Sequence, residues 1–168
     1  MKVLGLLEKA GPDAVGAAEA ADFAAWLAEP AQVAALGNMI GRDLVPAAGA
    51  ARPGGPTLCS DRRSGAAALI LGQIGQSGDA ALGGLLAAAA EANARIVIWY
   101  LTELTAAHRA TLDWLGRMTG QSLAVHVIEV EFWRVGENAL APRLSLAHSA
   151  TPGAASPAPA STPAAPVA

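Results

Sequence analysis

Apolar residues recur at helical spacing near the start of the chain. Phe23, Trp26 and Leu27 mark an amphipathic helix within residues 13–29, ended by Pro30. Val33, Leu36 and Ile40 carry the same period into a shorter helix that Gly41 stops. Short apolar runs between turn signals follow. Residues 44–50 predict a strand, Pro53-Gly54-Gly55-Pro56 a turn, and residues 57–60 a second strand. Asp61-Arg62-Arg63-Ser64-Gly65 is a second turn and residues 66–71 a third strand. That strand runs into the glycine-rich loop of LILGQIGQSGD, residues 69–79. Asp79 then opens a helix to about Asn93, with Ser77 or Asp79 placed to cap its amides. Ile96-Val97-Ile98-Trp99-Tyr100 has the pattern of a strand buried on both faces. Residues 105–118 read as a helix, with Leu104, His108, Leu112 and Leu115 on one stripe and Gly120 as its stop. Residues 123–135 form a long strand whose alternation slips at Val127-Ile128, which predicts a bulge. Residues 142–147 add an edge strand.

Three strands joined by tight turns are antiparallel neighbours, and the helix from Asp79 is long enough to cross to a parallel strand at Ile96. The expected class is a single α/β domain over residues 1–150, a mixed central sheet flanked by helices. Residues 151–168 (TPGAASPAPASTPAAPVA) carry no charge and no hydrophobic period, so they predict a disordered Pro/Ala-rich tail. No internal repeat is present.

Composition changes this picture in three places. The chain is 53% hydrophobic but 4% aromatic, and alanine supplies 42 of its 168 residues, so many small apolar residues must lie on surfaces. A net charge of −3 offers no basic excess for non-specific nucleic-acid binding. One cysteine, Cys59, rules out an internal disulfide framework and suits a reducing cytoplasm; its short apolar run predicts a buried structural thiol. The N-terminal apolar run is too short for a signal peptide, and residues 80–90 fall far below the ~20 residues of a membrane span. The expectation is therefore a cytoplasmic protein without membrane partners.

The order α-β-β-β-α-β is the core of the PD-(D/E)xK restriction-endonuclease-like superfamily. The segments DFAAWLAEP (22–30), RIVIWY (95–100), HRATLDWLGRMTG (108–120) and VEFWRVGENALAPRL (130–144) resemble an uncharacterised bacterial and archaeal family of nuclease-like domains within it. The likeness covers about residues 19–147. That family's pattern has I-E-N-Q at the end of the third strand, then T-D-H-x-H-L-G, W-L-N and W-R-I-G. Aligned without gaps, I-E-N-Q falls on Ile70-Leu71-Gly72-Gln73, and T-D-H-x-H-L-G on residues 77–83. Gln73, Leu82, Gly83, Trp114, Leu115, Trp133 and Arg134 match. The glutamate has become Leu71, the aspartate Gly78, the two histidines Asp79 and Ala81, and the W-L-N asparagine Gly116. An aspartate expected near Pro56 or Thr57 is missing as well.

Metal-dependent phosphodiester cleavage, the activity the resemblance implies, needs two carboxylates converging on Mg²⁺. The two strands that should supply them carry only Asp61, in the turn between them. Asp79 and Glu91 lie 12 residues apart, about 18 Å along a helix, too far to share an ion. The remnant site is thus Leu71, Gln73, Gly78 and Asp79, with no catalytic residue and no cofactor assigned. Mg²⁺ enters only in an alternative with a rearranged site of Asp61, Gln73 and Asp79. Neither His108 nor His126 has ligands at metal spacing, and His148 stands at the start of the tail. Arg52, Arg62 and Arg63 could contact phosphates, or be solvated turn residues.

The helix at residues 80–90, AALGGLLAAAA, is apolar all round. Leu82, Gly83, Gly84, Leu85 and Leu86 are its candidate interface, against the plainer reading that alanine is a permissive filler. The expected function is a catalytically degenerate nuclease-fold domain acting as a binding or structural module, through self-association or a protein partner. The alternatives are an active nuclease with a rearranged site and a non-catalytic nucleic-acid binder.

Overall fold

The computed structural model describes residues 7–51, 55–120, 122–136 and 139–150. The predicted tail and Arg52 lie outside them. The elements run β1 (Leu7–Ala10), a 3-10 turn (Pro12–Ala14), α1 (Ala17–Leu27), α2 (Pro30–Met39), β2 (Leu44–Ala51), β3 (Thr57–Asp61) and β4 (Ala67–Gly72). Then come α3 (Asp79–Glu91), β5 (Ile96–Leu101), α4 (Ala106–Thr119), β6 (Ala124–Val135) and β7 (Ala139–Ala150). This is a mixed α/β domain with one seven-stranded sheet and helices on both faces.

From one edge the strands run β2, β3, β4, β5, β6, β7. β2, β3 and β4 are antiparallel neighbours, as their short turns require. β4, β5 and β6 are parallel, joined by the crossover helices α3 and α4. Phe132 to Val135 of β6 pair with both β1 and β7, while Val125 to Glu129 pair with both β5 and β7. β1 therefore lies on the same side of β6 as β5, beyond the end of that shorter strand. Pro46 in β2 and Pro142 in β7 are tolerated because both strands are edges with a free side.

Side-chain alternation divides the core into two layers. Phe23 and Leu27 of α1 and Val33 and Leu36 of α2 pack on Ile70, Ile98, Tyr100, Ile128, Val130 and Phe132. On the opposite face Leu82 and Leu85 of α3 and Leu112 of α4 cover Leu69, Val97, Trp99, Leu101, Val125 and Val127. All six residues of β5 are buried, which accounts for their uninterrupted apolar run. Cys59 is buried too, and burial pushes its thiol pKa up to about 12, so it is a packing residue.

The differences from expectation have local causes. β1 was not predicted because it has no buried alternation; only Ala10 reaches the core. α1 begins at Ala17, since a 3-10 turn precedes it with Gly16 as its N-cap. α3 is capped by the backbone of Gly78, without the expected side-chain cap from Ser77 or Asp79. The register does shift between Val127 and Ile128, but the extra residue, Ala147, belongs to the partner strand β7. That strand extends to Ala150, so His148 is a buried strand residue. Among the described residues no helix is long and apolar enough to cross a membrane.

Candidate functional site

In open α/β sheets ligands bind in the crevice at the carboxyl ends of the parallel strands. Here the loops after β4 and β5 meet at that end and are tied to each other. Gln73 N donates to Tyr100 O (3.0 Å), Thr102 N to Gly75 O (3.0 Å) and Ser77 N to Glu103 O (2.9 Å). Gln76 Nε2 reaches Glu103 Oε1 at 3.1 Å, and Glu129 Oε1 of β6 accepts from Leu104 N at 3.1 Å.

Four polar side chains meet between the N-termini of α3 and α4. Thr105 is the N-cap of α4 and its Oγ1 accepts from His108 N at 3.2 Å. His108 Nδ1 lies 2.8 Å from Thr105 Oγ1 and 2.9 Å from Ser77 Oγ, and Nε2 lies 2.9 Å from Asp79 Oδ1. Ser77 Oγ accepts from Thr105 N at 3.0 Å. One proton arrangement satisfies the set: Nε2–H donates to Asp79, and Nδ1 accepts from a hydroxyl. The composition is that of a hydroxyl–imidazole–carboxylate relay, yet its exposure is inverted. A nucleophile must face substrate while its orienting carboxylate is sheltered. Ser77 is 6% exposed, whereas the Asp79 side chain is fully exposed. The network therefore locks two helix N-termini together and keeps the Ser77 hydroxyl away from solvent.

The remnant positions divide around this network. Leu71 packs into the core layer beneath α3 and α4. A Cβ at Gly72 would lie 1.9 Å from Tyr100 O, so the chain needs glycine where the resemblance has asparagine. Gln73 turns its amide back to Gln76 O at 2.8 Å, closing its own loop. Gly78 is the α3 N-cap and Asp79 is bound to His108. Gly116 lets α4 approach β7, where an added Cβ would sit 3.3 Å from Ala150 Cβ. Thr57, paired with Ile70, faces the α1/α2 layer, whereas Leu71 faces α3/α4, so these two positions point to opposite sides of the sheet.

Asp61 is remote from all of them. It ends β3 opposite Ala66, seven residues from Gln73 along an extended chain, or about 23 Å. It is fully buried and accepts from Ser64 Oγ (2.6 Å), Asp43 N (3.2 Å) and Arg63 N (3.3 Å), with Arg42 Nη1 at 3.5 Å. The Ser64 hydroxyl, then the two amides and Arg42, hold its pKa below the usual carboxylate value against the cost of burial. Asp61 thus closes the β3–β4 turn, and Asp61, Gln73 and Asp79 cannot share one ion.

Arg62 and Arg63 are exposed on that turn, and Arg95 is exposed at the start of β5. They stand at the end of the sheet opposite Gln73 and Asp79. The remnant end instead gathers Asp79, Glu103 and Glu129.

On α3, Leu82 (8% exposed) and Leu85 (0%) are turned into this chain's own core, and Leu86 packs beside them. Gly83 and Gly84 have open space where a side chain would stand. The face left to a partner is therefore glycine and alanine rather than leucine.

Two further histidines are buried in the sheet. His126 Nδ1 is 2.9 Å from Ser149 Oγ, its Nε2 has no partner, and burial, then the charges of Arg42 and His148, lower its pKa to about 4. His148 faces α4, with Nδ1 at 3.2 Å from Arg109 Nη1 and Nε2 at ion-pair distance, 3.1 Å, from Asp113 Oδ1 but not aligned for a hydrogen bond. Its pKa is lowered by burial, with Asp113 opposing and Arg109 reinforcing the shift. His126 faces the α1/α2 layer and His148 faces α4, so they do not form a metal pair. Compared with protein-family models, curated proteins and solved structures, the chain matches none.

Proposed function

We propose that this chain is a restriction-endonuclease-like domain without a metal site, and that it works in the cytoplasm as a non-catalytic binding or structural module for a protein partner or a second copy. The order α2-β2-β3-β4-α3-β5 supports the relationship, being the α-β-β-β-α-β core of that superfamily. The observation that carries the loss of chemistry is the separation of Asp61 from Gln73 and Asp79, about 23 Å along the strand. The test incubates the full chain with single- and double-stranded DNA and RNA plus Mg²⁺ or Mn²⁺. No cleavage is expected, and cleavage abolished by Asp79→Ala overturns the reading.

Nucleic-acid binding without cleavage is favoured by one observation, the exposure of Arg62, Arg63 and Arg95 at one end of the sheet. Salt-sensitive binding lost in the Arg62→Ala/Arg63→Ala/Arg95→Ala variant supports it, and no binding at low salt removes it.

A further inference from the structure

Helix α1 and the far ends of β6 and β7 enclose an open groove of about 430 Å³, separate from the remnant site. Its apolar floor is ordered by aromatic contacts: the Phe23 ring lies 5.7 Å from Trp26 and packs edge-on to Phe132 at 5.3 Å. Leu140 and Pro142 of β7 complete the wall. The charged groups lining it are Glu19 and Asp22, both exposed and neither in an ion pair among the described residues. They lie three residues apart on α1, hence on one helix face with Phe23 and Trp26. The Glu19 carboxylate folds back over Gly16 at the helix N-terminus, where the helix dipole favours a negative charge. Asp22 has no such partner.

We propose that this groove captures an arginine side chain of a protein partner, an inference that rests on the binding-module reading and names the partner's chemistry. Two carboxylates above an aromatic floor are complementary to a planar cation with an apolar stem. A guanidinium is weakly hydrated, stacks on an indole face and pairs with carboxylate oxygens, while its three methylenes cover apolar surface. The groove's size suits one such side chain and an apolar neighbour, for which Leu140 and Pro142 provide contact.

The test titrates the full chain with an acetylated, amidated Ala-Leu-Arg-Leu-Ala peptide at low salt, following the Trp26 indole N–H resonance assigned with Trp26→Phe. The Trp26 signal shifts on binding, and the citrulline peptide, which keeps the shape but not the charge, binds at least 10-fold more weakly. Asp22→Lys, on the exposed helix face, weakens the arginine peptide by a similar factor with an unchanged melting temperature. Equal binding of the arginine and citrulline peptides, or no Trp26 shift at millimolar peptide, overturns the proposal. A Trp26 shift that follows protein concentration without peptide overturns it in favour of a second copy. Metal-dependent cleavage bears only on the loss of catalysis, so the two failures are read separately.

Discussion

Lowering the pH from 7 to 5 should destabilise this domain chiefly through His126. Its ring is 3% exposed, one nitrogen meets Ser149 and the other has no partner, so a positive charge there would lose its hydration without replacement. The folded pKa of about 4 lies below the ordinary histidine value of 6.5. Between those two values the unfolded chain binds more protons, so stability rises with pH across the window and the penalty is complete below about 4. At about 1.36 kcal/mol per pH unit the full gap is worth roughly 3 kcal/mol, of which roughly 2 kcal/mol falls between pH 7 and 5. With a urea slope of about 2 kcal/mol/M, the midpoint should drop by about 1 M over that interval. His126→Phe should remove most of this difference while leaving the smaller, same-signed share from His148. Two results refute the reasoning: a His126 ring resonance titrating near 6.5 in the folded domain, or the full pH dependence persisting in His126→Phe.

Chemical denaturation of other variants probes separate features. Gly84→Ala should stabilise by about 1 kcal/mol, because the added methyl meets open space on a helix face and removes glycine's entropic cost; a loss of stability would show that the face is occupied. Gly72→Ala should destabilise by about 1–3 kcal/mol, since its Cβ must displace the Tyr100 backbone. His108→Ala should cost about 1–3 kcal/mol by removing the buried imidazole that bridges Ser77, Thr105 and Asp79, whereas Asp79→Asn, at an exposed position, should change stability little. Acidification should also weaken the β3–β4 turn through Asp61: its pKa is depressed, so its contribution is present above the unfolded carboxylate pKa and fades as pH falls through the folded one, and Asp61→Asn should flatten that limb of the acid melt.

Long periodic segments carried most of the fold. The stripe of His108, Leu112 and Leu115, the continuous run of β5 and the tight turns around β3 each reflect one physical constraint acting locally. β1 left no such trace, because it gains order from edge hydrogen bonds to β6 rather than from buried side chains. The polar network was hidden for another reason. Ser77 and His108 are 31 residues apart and meet only because two parallel crossovers bring both helix N-termini to one end of the sheet. A local clue did exist: Thr105, three residues before His108, is an N-cap pattern that fixes where α4 begins and which way the imidazole is presented. For the arginine cluster, the predicted order of turn, strand and loop already set Arg62 and Arg63 at the start of β4 and Gln73 beyond its end.

The loops after β4 and β5 form a closed, self-satisfied end of the sheet. The neighbours close over the positions where the resemblance would place polar site residues. Leu71 packs in the layer under α3 and α4, so a carboxylate in its place would enter an apolar environment. At position 72 any side chain collides with Tyr100 O, and at 116 it presses on Ala150. The loop polar groups satisfy one another through Gln73, Gln76 and Glu103, and the helix N-termini, which elsewhere attract anions, are taken by Thr105 and faced by Asp79. Asp79, Glu103 and Glu129 set negative charge beside these loops, which opposes a phosphate backbone, while Lys9 and Arg143 are paired with Glu131 further along β6. The α1 groove on the other face of the sheet differs in kind, since Glu19 and Asp22 stand exposed there with no ion-pair partner among the described residues.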